Sequence, residues 1–244
     1  MLIRIFRTIV FCLFTLIFLP LVVFLYLLSF KRLPDSWVAA AIRFWGAASI
    51  WIFGVELEFV NPSTFQDRRP RVMICNHQSA FDLLWAARIC PSGFFAIGKK
   101  EIIFVPVINL VWWAFNLVRV DRGNTRKAIE SLRGVADEVV KNSRTLFVSP
   151  EGTRSYDGPI LPFKKGPFHI AFERNIPIYP VVIFGVSRLL PRDGFLPKPG
   201  KMRMYFLPPV ETQGKSLLEM DAFIAEVRQQ MITKLDEISF KEPA

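Results

Sequence analysis

The sequence has few cysteines and few histidines. Its 244 residues include two histidines and three cysteines, Cys12, Cys75 and Cys90, and no two cysteines are spaced as Cys-x-x-Cys. This excludes a disulfide framework and the thiolate-rich sites that hold structural zinc. We interpret the cysteines as small hydrophobic residues. An odd, unpatterned set also fits a chain whose working part lies in a reducing compartment, on the cytosolic side of a membrane.

Two motifs of common enzyme classes are also missing. No Gly-x-Ser-x-Gly sequence occurs, which argues against a serine hydrolase acting on lipids. The segment Gly214 to Ser216 has the end of a nucleotide-binding P-loop, but the glycine required five residues earlier is replaced by Pro209. The chain has no internal repeat and no low-complexity linker, so one catalytic domain is the simplest organisation.

Acidic residues are scarce relative to basic ones, and hydrophobic residues are abundant. Lysine and arginine number 31 against 21 aspartates and glutamates, which gives a net charge of +10, and 52% of the residues are hydrophobic. The positive charge suits anionic lipid headgroups, anionic substrates or nucleic acid, and the 24 Phe and 6 Trp favour a membrane among these. A membrane-anchored lipid-binding or nucleic-acid-binding module without catalysis accounts for the same features.

One uncharged segment, Thr8 to Phe30, is long enough to cross a bilayer, and basic residues flank it on both sides. No small-residue cleavage site follows it, which argues against a signal peptide. Pro20 leaves a re-entrant hairpin open as an alternative. A second apolar segment, Trp37 to Phe53, carries Arg43 and is predicted to be an interfacial helix or the returning arm of a hairpin.

From Gly54 onward, short β-rich runs alternate with amphipathic stretches, which predicts an α/β domain with a mixed, largely parallel sheet flanked by helices. The predicted strands are Val55 to Val60, Arg71 to Cys75, Phe94 to Ile97, Leu117 to Val120, Thr145 to Val148, Ile178 to Phe184 and Met202 to Phe206. The predicted helices are Ala80 to Ile89, Thr125 to Val140, Pro167 to Arg174 and Leu217 to Ile238. We therefore divide the chain into a membrane-anchoring segment, residues 1–53, and a catalytic domain, residues 54–244.

The apolar stretch Ile102 to Val118 lies inside the catalytic domain and carries Trp112 and Trp113. With Pro106 within it, the stretch is short for a membrane span. It is interpreted as a surface that dips into lipid or as a core helix.

The segment Asn76 to Asp82 follows a strand and precedes a helix, where open α/β sheets present their ligands. His77 is suited to act as a base that takes a proton from a hydroxyl near neutral pH. Asp82, about one helical turn in, is placed to accept a hydrogen bond from the other ring nitrogen. The run Ser79 to Asp82 also fits a helix capping box, which needs no catalysis to explain it, and the two roles are compatible if Asp82 shares its oxygens.

The segment Pro150 to Ser155 follows another predicted strand. Gly152 permits a close backbone approach to a ligand, and the planar guanidinium of Arg154 is suited to a phosphate. A polar turn with a surface arginine is the structural alternative. Lys164 and Lys165 add positive charge downstream.

Further basic pairs lie at two other predicted strands: Lys99 with Lys100 after Phe94 to Ile97, and Arg119 with Arg122 around Leu117 to Val120. Each pair alone is explained by solvated surface charge. Four basic clusters, each just after a strand, are expected to converge on one edge of the sheet, where they would favour a phosphate or a lipid headgroup.

Five boxes in this order resemble the glycerophospholipid acyltransferase family, specifically the 1-acyl-sn-glycerol-3-phosphate acyltransferases, over roughly residues 70–185. The boxes are Asn-His-x-x-x-x-Asp at Asn76 to Asp82, Gly-Lys-Lys-Glu at Gly98 to Glu101, Val-Asp-Arg at Val120 to Arg122, Pro-Glu-Gly-Thr-Arg-Ser at Pro150 to Ser155, and Ile-Pro-Ile-x-Pro-Val at Ile176 to Val181. The sequence departs from the family at Ser149, usually Phe, and at Asn116, often Gly.

The resemblance implies transfer of a fatty acyl group from acyl-CoA or acyl carrier protein to the sn-2 hydroxyl of 1-acylglycerol 3-phosphate, giving phosphatidic acid. It implies His77 as general base with Asp82 as its partner, and neither metal nor cofactor. Its implied substrate-binding residues are Lys100, Arg122, Glu151, Gly152, Thr153 and Arg154. Glycerol 3-phosphate, another lysophospholipid and a lyso-ornithine lipid remain open as acceptors. The expected location is the inner cell membrane, with the catalytic domain on the cytoplasmic side and no nucleic-acid partner.

Overall fold

The computed structural model describes residues 1–63, 67, 69–92, 94–99, 104–115, 118–120, 125–155 and 159–241. Within them the α-helices are α1 (Leu2–Leu28), α2 (Asp35–Ile52), α3 (Asp82–Arg88), α4 (Ile108–Ala114), α5 (Thr125–Lys141), α6 (Gly166–Arg174), α7 (Val186–Leu189) and α8 (Met220–Lys241). The strands are β1 (Val55–Val60), β2 (Arg71–Cys75), β3 (Phe94–Lys99), β4 (Val118–Val120), β5 (Thr145–Val148), β6 (Ile178–Phe184) and β7 (Gly200–Phe206).

The strands form one sheet in the order β1-β7-β6-β2-β5-β3-β4. The five strands from β6 to β4 run parallel, whereas β7 is antiparallel to β6 and pairs in parallel with β1. The predicted mixed, largely parallel α/β sheet is therefore confirmed. Because β2, β3, β4 and β5 are parallel, their carboxyl ends lie together along one side of the sheet, its carboxyl edge.

Side chains alternate between two hydrophobic cores, one on each face of the sheet. In β2, Met73 and Cys75 join the core under α1 to α4, while Val72 and Ile74 join the core under α5, α6 and α8. This period of two is what pleated strands buried on both faces require. The segment 76–82, which follows β2, consequently leaves the sheet between two packed layers of helices.

The first apolar segment forms one continuous helix, α1, which passes through Pro20 without a turn, so the alternative of a re-entrant hairpin there is wrong. Among the described residues, α1 is the one helix long and apolar enough to cross a membrane. Both of its ends contact the rest of the protein. Arg7 donates to the Phe53 carbonyl oxygen at 3.1 Å, and the rings of Tyr26 and Phe115 lie 4.8 Å apart. The helix therefore lies against the protein body.

Helix α2 packs closely on α3. A Cβ atom at Gly46 would lie 2.5 Å from the Arg88 amide nitrogen and 2.7 Å from the Leu84 carbonyl oxygen, so only glycine allows this approach. Arg43 adds a hydrogen bond of 2.8 Å to the Cys90 carbonyl oxygen. The second apolar segment is thus a helix, as predicted, and it supports the element that carries Asp82.

The apolar stretch at residues 102–118 contains the short helix α4. Val111, Trp112 and Ala114 are buried, whereas Trp113 and Phe104 are mostly exposed. Residues 102, 103, 116 and 117 lie outside the described residues. The described part thus combines a core-facing side with an exposed aromatic side.

Candidate active site

Asn76 fixes the point at which the chain leaves the sheet. Its side-chain amide donates to the Ile183 carbonyl oxygen at 2.9 Å, and its side-chain oxygen accepts from the Ile183 amide at 2.7 Å. The buried side chain thereby continues the β2–β6 pairing by one step beyond the strand. This holds the backbone at His77 in a defined position at the carboxyl edge of the sheet.

The structure brings His77 and Asp82 together. The His77 Nδ1 atom lies 2.6 Å from Asp82 Oδ2. The same oxygen accepts the amide hydrogens of Gln78 and Ser79, each at 3.0 Å, and Oδ1 accepts from the indole of Trp85 at 2.9 Å. With these bonds on a buried carboxylate, its orientation is fixed, and so is the imidazole ring that it contacts.

Asp82 also holds the backbone that precedes α3. Helix α3 begins at Asp82, its N-cap residue is Phe81, and no side chain caps that position. Of the predicted capping box, the bond from the Ser79 amide to the Asp82 carboxylate is formed, whereas the Ser79 hydroxyl accepts from the Phe81 amide at 3.3 Å and donates to the Leu190 carbonyl oxygen at 2.8 Å. Asp82 therefore fixes the segment before the helix and orients His77 with the same oxygen.

The other ring nitrogen of His77 has no hydrogen-bond partner within the described part of the chain, and 29% of the side chain is exposed. An imidazole held at Nδ1 by a carboxylate and open at Nε2 can accept a proton from a bound hydroxyl group. The pair has the geometry of a general base and its orienting partner.

The segment Pro150 to Ser155 surrounds the backbone of His77. Glu151 accepts the His77 amide at 2.8 Å through Oε1, and the Ser155 amide donates to the His77 carbonyl oxygen at 2.8 Å. The second Glu151 oxygen accepts the Leu161 amide at 2.9 Å. Glu151 is 2% exposed, and this burial raises the pKa of its carboxyl group despite the two donors. The resemblance placed Glu151 at the substrate, whereas its carboxylate contacts backbone amides.

Gly152 adopts a φ of +72°, a left-handed conformation that favours glycine. Thr153 and Arg154 follow it and are exposed. Because β5 runs parallel to β2 and the Ser155 amide bonds the His77 carbonyl oxygen, the backbone at Arg154 lies at the same edge of the sheet as His77. This placement is consistent with a role at the entrance of the site.

Two predicted substrate-binding residues, Lys100 and Arg122, lie outside the described residues. Their strands, β3 and β4, pair in parallel with each other and, through β3, with β5. The chain therefore leaves both strands at the edge that carries His77. This is the convergence of strand ends that the sequence predicts.

Cys75 lies near His77 and Asp82 but is not suited to act as a nucleophile. Burial, with added repulsion from the charges of Asp82 and Glu151, raises the pKa of its thiol well above the usual value. The thiol therefore stays protonated at neutral pH. The described residues include no group of three or more His, Cys, Asp or Glu side chains placed to hold a metal ion.

The sequence does not predict the roles of several residues of the site. Asn76 and Ser155 lie inside recognised boxes, so their polar side chains at strand ends were an available signal. Trp85 is three residues beyond Asp82, the spacing of neighbours on one helix face. The contact of Leu161 with Glu151 has no sequence signal, because it joins a backbone amide to a side chain ten residues away.

Comparisons with known proteins agree with this geometry. The acyltransferase family model matches residues 56–184, which include the segments Asn76 to Asp82 and Pro150 to Ser155. The 1-acyl-sn-glycerol-3-phosphate acyltransferase of Saccharomyces cerevisiae is 35% identical over 192 residues, covering 78% of this chain and 63% of the yeast protein. The alpha form from Mus musculus is 32% identical over 190 residues, covering 78% of this chain and 67% of the mouse protein. The chain thus spans about two thirds of the length of these relatives.

A solved structure extends the similarity to the whole fold. The crystal structure of the 1-acyl-sn-glycerophosphate acyltransferase from Thermotoga maritima superposes with a TM-score of 0.75 at 26% sequence identity. The match covers 95% of this chain and 97% of the other. The similarity therefore includes the N-terminal helices as well as the sheet.

Proposed function

This chain belongs to the acyltransferase family and, within it, to the 1-acyl-sn-glycerol-3-phosphate acyltransferases, and on this premise we propose that it transfers a fatty acyl group to the sn-2 hydroxyl of 1-acylglycerol 3-phosphate, giving phosphatidic acid. The proposed donor is a thioester, either acyl-CoA or acyl carrier protein. The observation that carries the proposal is the 2.6 Å contact between His77 and Asp82 beside an open imidazole nitrogen.

The proposed chemistry uses His77 as general base. Its Nε2 takes the proton of the sn-2 hydroxyl while the hydroxyl oxygen attacks the thioester carbonyl carbon. Collapse of the tetrahedral intermediate breaks the carbon–sulfur bond and forms the ester, and the proton passes from the imidazolium to the departing thiolate. Asp82 fixes the ring and stabilises its positive charge during the reaction.

The acceptor phosphate is proposed to bind at the basic edge of the sheet. Arg154 supplies a planar fork for two phosphate oxygens, and Lys100 and Arg122 add positive charge after β3 and β4. Gly152 and Thr153 shape the loop that presents Arg154. Glu151 supports this site from within, because its carboxylate holds the His77 and Leu161 backbone.

The proposed location is the cytoplasmic face of the inner cell membrane. Residues 1–53 would attach the protein to the bilayer, and residues 54–244 would carry out the chemistry. Many apolar side chains on α1 are exposed, including Phe6, Ile17 and Phe24. Burial of such side chains in lipid is strongly favourable, which supports an anchoring role. A membrane location also brings the active site to a lipid acceptor.

An acceptor panel tests this proposal. Purified protein in vesicles receives one labelled acyl-CoA with either 1-acylglycerol 3-phosphate, glycerol 3-phosphate, a lysophospholipid without a free phosphate, a lyso-ornithine lipid or monoacylglycerol. The expected result is preferred acylation of 1-acylglycerol 3-phosphate. Preference for another acceptor would reassign the substrate. If no acceptor is acylated, the panel is repeated with acyl carrier protein as donor. Absence of transfer from both donors would favour a binding module without catalysis.

A further inference from the structure

Helix α8 contacts the backbone of Ile160 and Leu161 through one arginine. Arg228 of α8 donates from Nε to the Leu161 carbonyl oxygen at 3.0 Å and from Nη2 to the Ile160 carbonyl oxygen. Ile160 is buried, and so is Val227 beside the arginine, so the contact lies at the boundary of the core. One rigid guanidinium thus fixes two successive carbonyl groups.

The chain from Ile160 to Lys164 is also hydrogen-bonded to the segment Pro150 to Ser155, which surrounds His77. The Leu161 amide donates to Glu151 Oε2 at 2.9 Å, and the Lys164 amide donates to the Pro150 carbonyl oxygen at 2.8 Å. The other Glu151 oxygen accepts the His77 amide at 2.8 Å. An unbroken chain of hydrogen bonds therefore runs from Arg228 through Leu161 and Glu151 to the backbone of His77.

Glu151 depends on these amides because it is buried away from water. Within the described part of the chain, its hydrogen bonds come from these two backbone amides, and no cation forms an ion pair with it. A buried carboxylate that loses a donor must find another or move toward solvent. Displacement of Leu161 would therefore also shift the oxygen that holds His77.

Two faces of the sheet constrain His77 in different ways. Helix α3 packs on the face under α1 to α4, and its Asp82 holds the imidazole ring. Helix α8 packs on the opposite face, and its Arg228 is linked to the His77 backbone by hydrogen bonds through Leu161 and Glu151. Each face of the sheet thus supplies a different contact, α3 to the ring and α8 to the chain of bonds that reaches the backbone.

We propose that Arg228 is a positioning residue for His77, acting through the Ile160–Leu161 segment and Glu151. Its kinetic consequence rests on the proposed acyl transfer. Small displacements of a reacting group lower turnover steeply, so Arg228→Ala is expected to reduce kcat by about 10- to 100-fold. The KM for 1-acylglycerol 3-phosphate should change by no more than about twofold, because Arg228 bonds Ile160 and Leu161 and, among the described residues, has no hydrogen bond or ion pair with Arg154. Arg228→Lys should recover part of the loss, since an ammonium reaches one carbonyl.

Two variants of the neighbouring residues serve as controls. Val227→Ala truncates a fully buried side chain of α8 and destabilises the helix packing while leaving the Arg228 guanidinium in place. Gln229→Ala removes an exposed side chain of the same helix. Both are expected to keep kcat within about twofold of wild type. An equal loss of kcat in Val227→Ala, measured well below its melting temperature, would show that general destabilisation explains Arg228→Ala and would overturn the proposal.

A double-mutant cycle with Glu151→Gln tests the route. If Arg228 acts through Glu151, the double variant should have nearly the kcat of Glu151→Gln alone. Losses that multiply would overturn the route. Hydrogen exchange supplies a readout that needs no activity: Arg228→Ala should speed exchange of the His77 and Leu161 amides, and unchanged exchange at His77 would overturn the inference. Absence of transfer by the wild-type protein would instead count against the proposed function.

Discussion

Asp82 shows how one side chain serves two purposes at the residue scale. Its Oδ2 atom accepts bonds from the His77 ring and from the amides of Gln78 and Ser79, and Oδ1 accepts the indole of Trp85. A carboxylate bond to backbone amides at a helix start stabilises by about 1 kcal/mol. The additional contact with His77 makes the geometry of the base depend on the same carboxylate.

Arg154 gives a prediction about the acceptor. If its guanidinium binds the phosphate, Arg154→Ala removes charge-assisted bonds that stabilise by about 1.5–3 kcal/mol, and the KM for 1-acylglycerol 3-phosphate should rise by about 10- to 100-fold. Arg154→Lys should recover part of the loss. Steady-state kinetics with monoacylglycerol, which lacks the phosphate, are the control. Equal weakening for both acceptors would make Arg154 a structural residue.

Ser149 gives a prediction about stability. Its hydroxyl oxygen is buried and has no hydrogen-bond partner among the described residues, at a position where the family usually has Phe. An unpaired buried polar group costs about 1–3 kcal/mol. Ser149→Ala is therefore expected to leave the free energy of unfolding unchanged or to increase it, measured by urea denaturation of the ligand-free protein. A decrease of more than about 1 kcal/mol would mean that the hydroxyl has a stabilising partner.

At the scale of elements, the contact of α2 with α3 supports the site from behind. Gly46 lets the two helices approach so closely that a Cβ atom would meet three backbone atoms of α3 within 3.0 Å. Backbone atoms cannot rotate away as a side chain can. Any side chain at Gly46 must therefore separate α2 from the helix that begins at Asp82.

Gly46→Ala should lower both stability and turnover. Overpacking of this kind costs about 1–3 kcal/mol, and the displaced α3 should carry Asp82 away from His77. Gly134→Ala in α5 is the matched control, because a Cβ atom there meets nothing within 4 Å. It should stabilise by about 0.5–1 kcal/mol and leave kcat unchanged. Similar melting temperatures and kcat values for the two variants would contradict the close packing at Gly46.

The sequence predicts elements better than the contacts between them. The seven strands were predicted with small shifts of their ends, because period-two patterns and turn residues are local signals. The pairing of His77 with Asp82 was also predicted, since five residues separate them. The contact of His77 with Glu151 spans 74 residues and that of Arg228 with Leu161 spans 67, and both use backbone groups that leave no sequence pattern.

At the scale of the whole molecule, the helix proposed as the anchor is part of the folded protein. Leu19 and Val23 of α1 are buried in the core under α1 to α4, and Thr15 accepts a hydrogen bond from the indole of Trp45 at 3.1 Å. The opposite side of α1 exposes apolar residues. One face of α1 thus belongs to the protein, and the other is available to lipid.

Substitutions on the outer face separate these two roles. Leu13, Ile17 and Phe24 are 55%, 68% and 59% exposed, so replacing all three with Ser should leave the fold intact. Each buried apolar side chain stabilises by about 1.5 kcal/mol or more, so vesicle partitioning in flotation assays should fall by about 1000-fold or more. Leu218→Ser with Phe240→Ser, exposed residues near α8, is the control. Equal weakening by the control would place the lipid contact elsewhere.

The central claim is that His77 and Asp82 catalyse acyl transfer, and the most direct measurement is turnover of labelled acyl-CoA with 1-acylglycerol 3-phosphate in vesicles. Wild-type protein should form phosphatidic acid, and His77→Ala should form none while keeping wild-type circular dichroism. Asp82→Asn should be slower by about 100-fold or more, because the amide cannot stabilise the imidazolium. Near wild-type turnover by both folded variants would contradict the account and leave Asp82 with only a structural role at the start of α3.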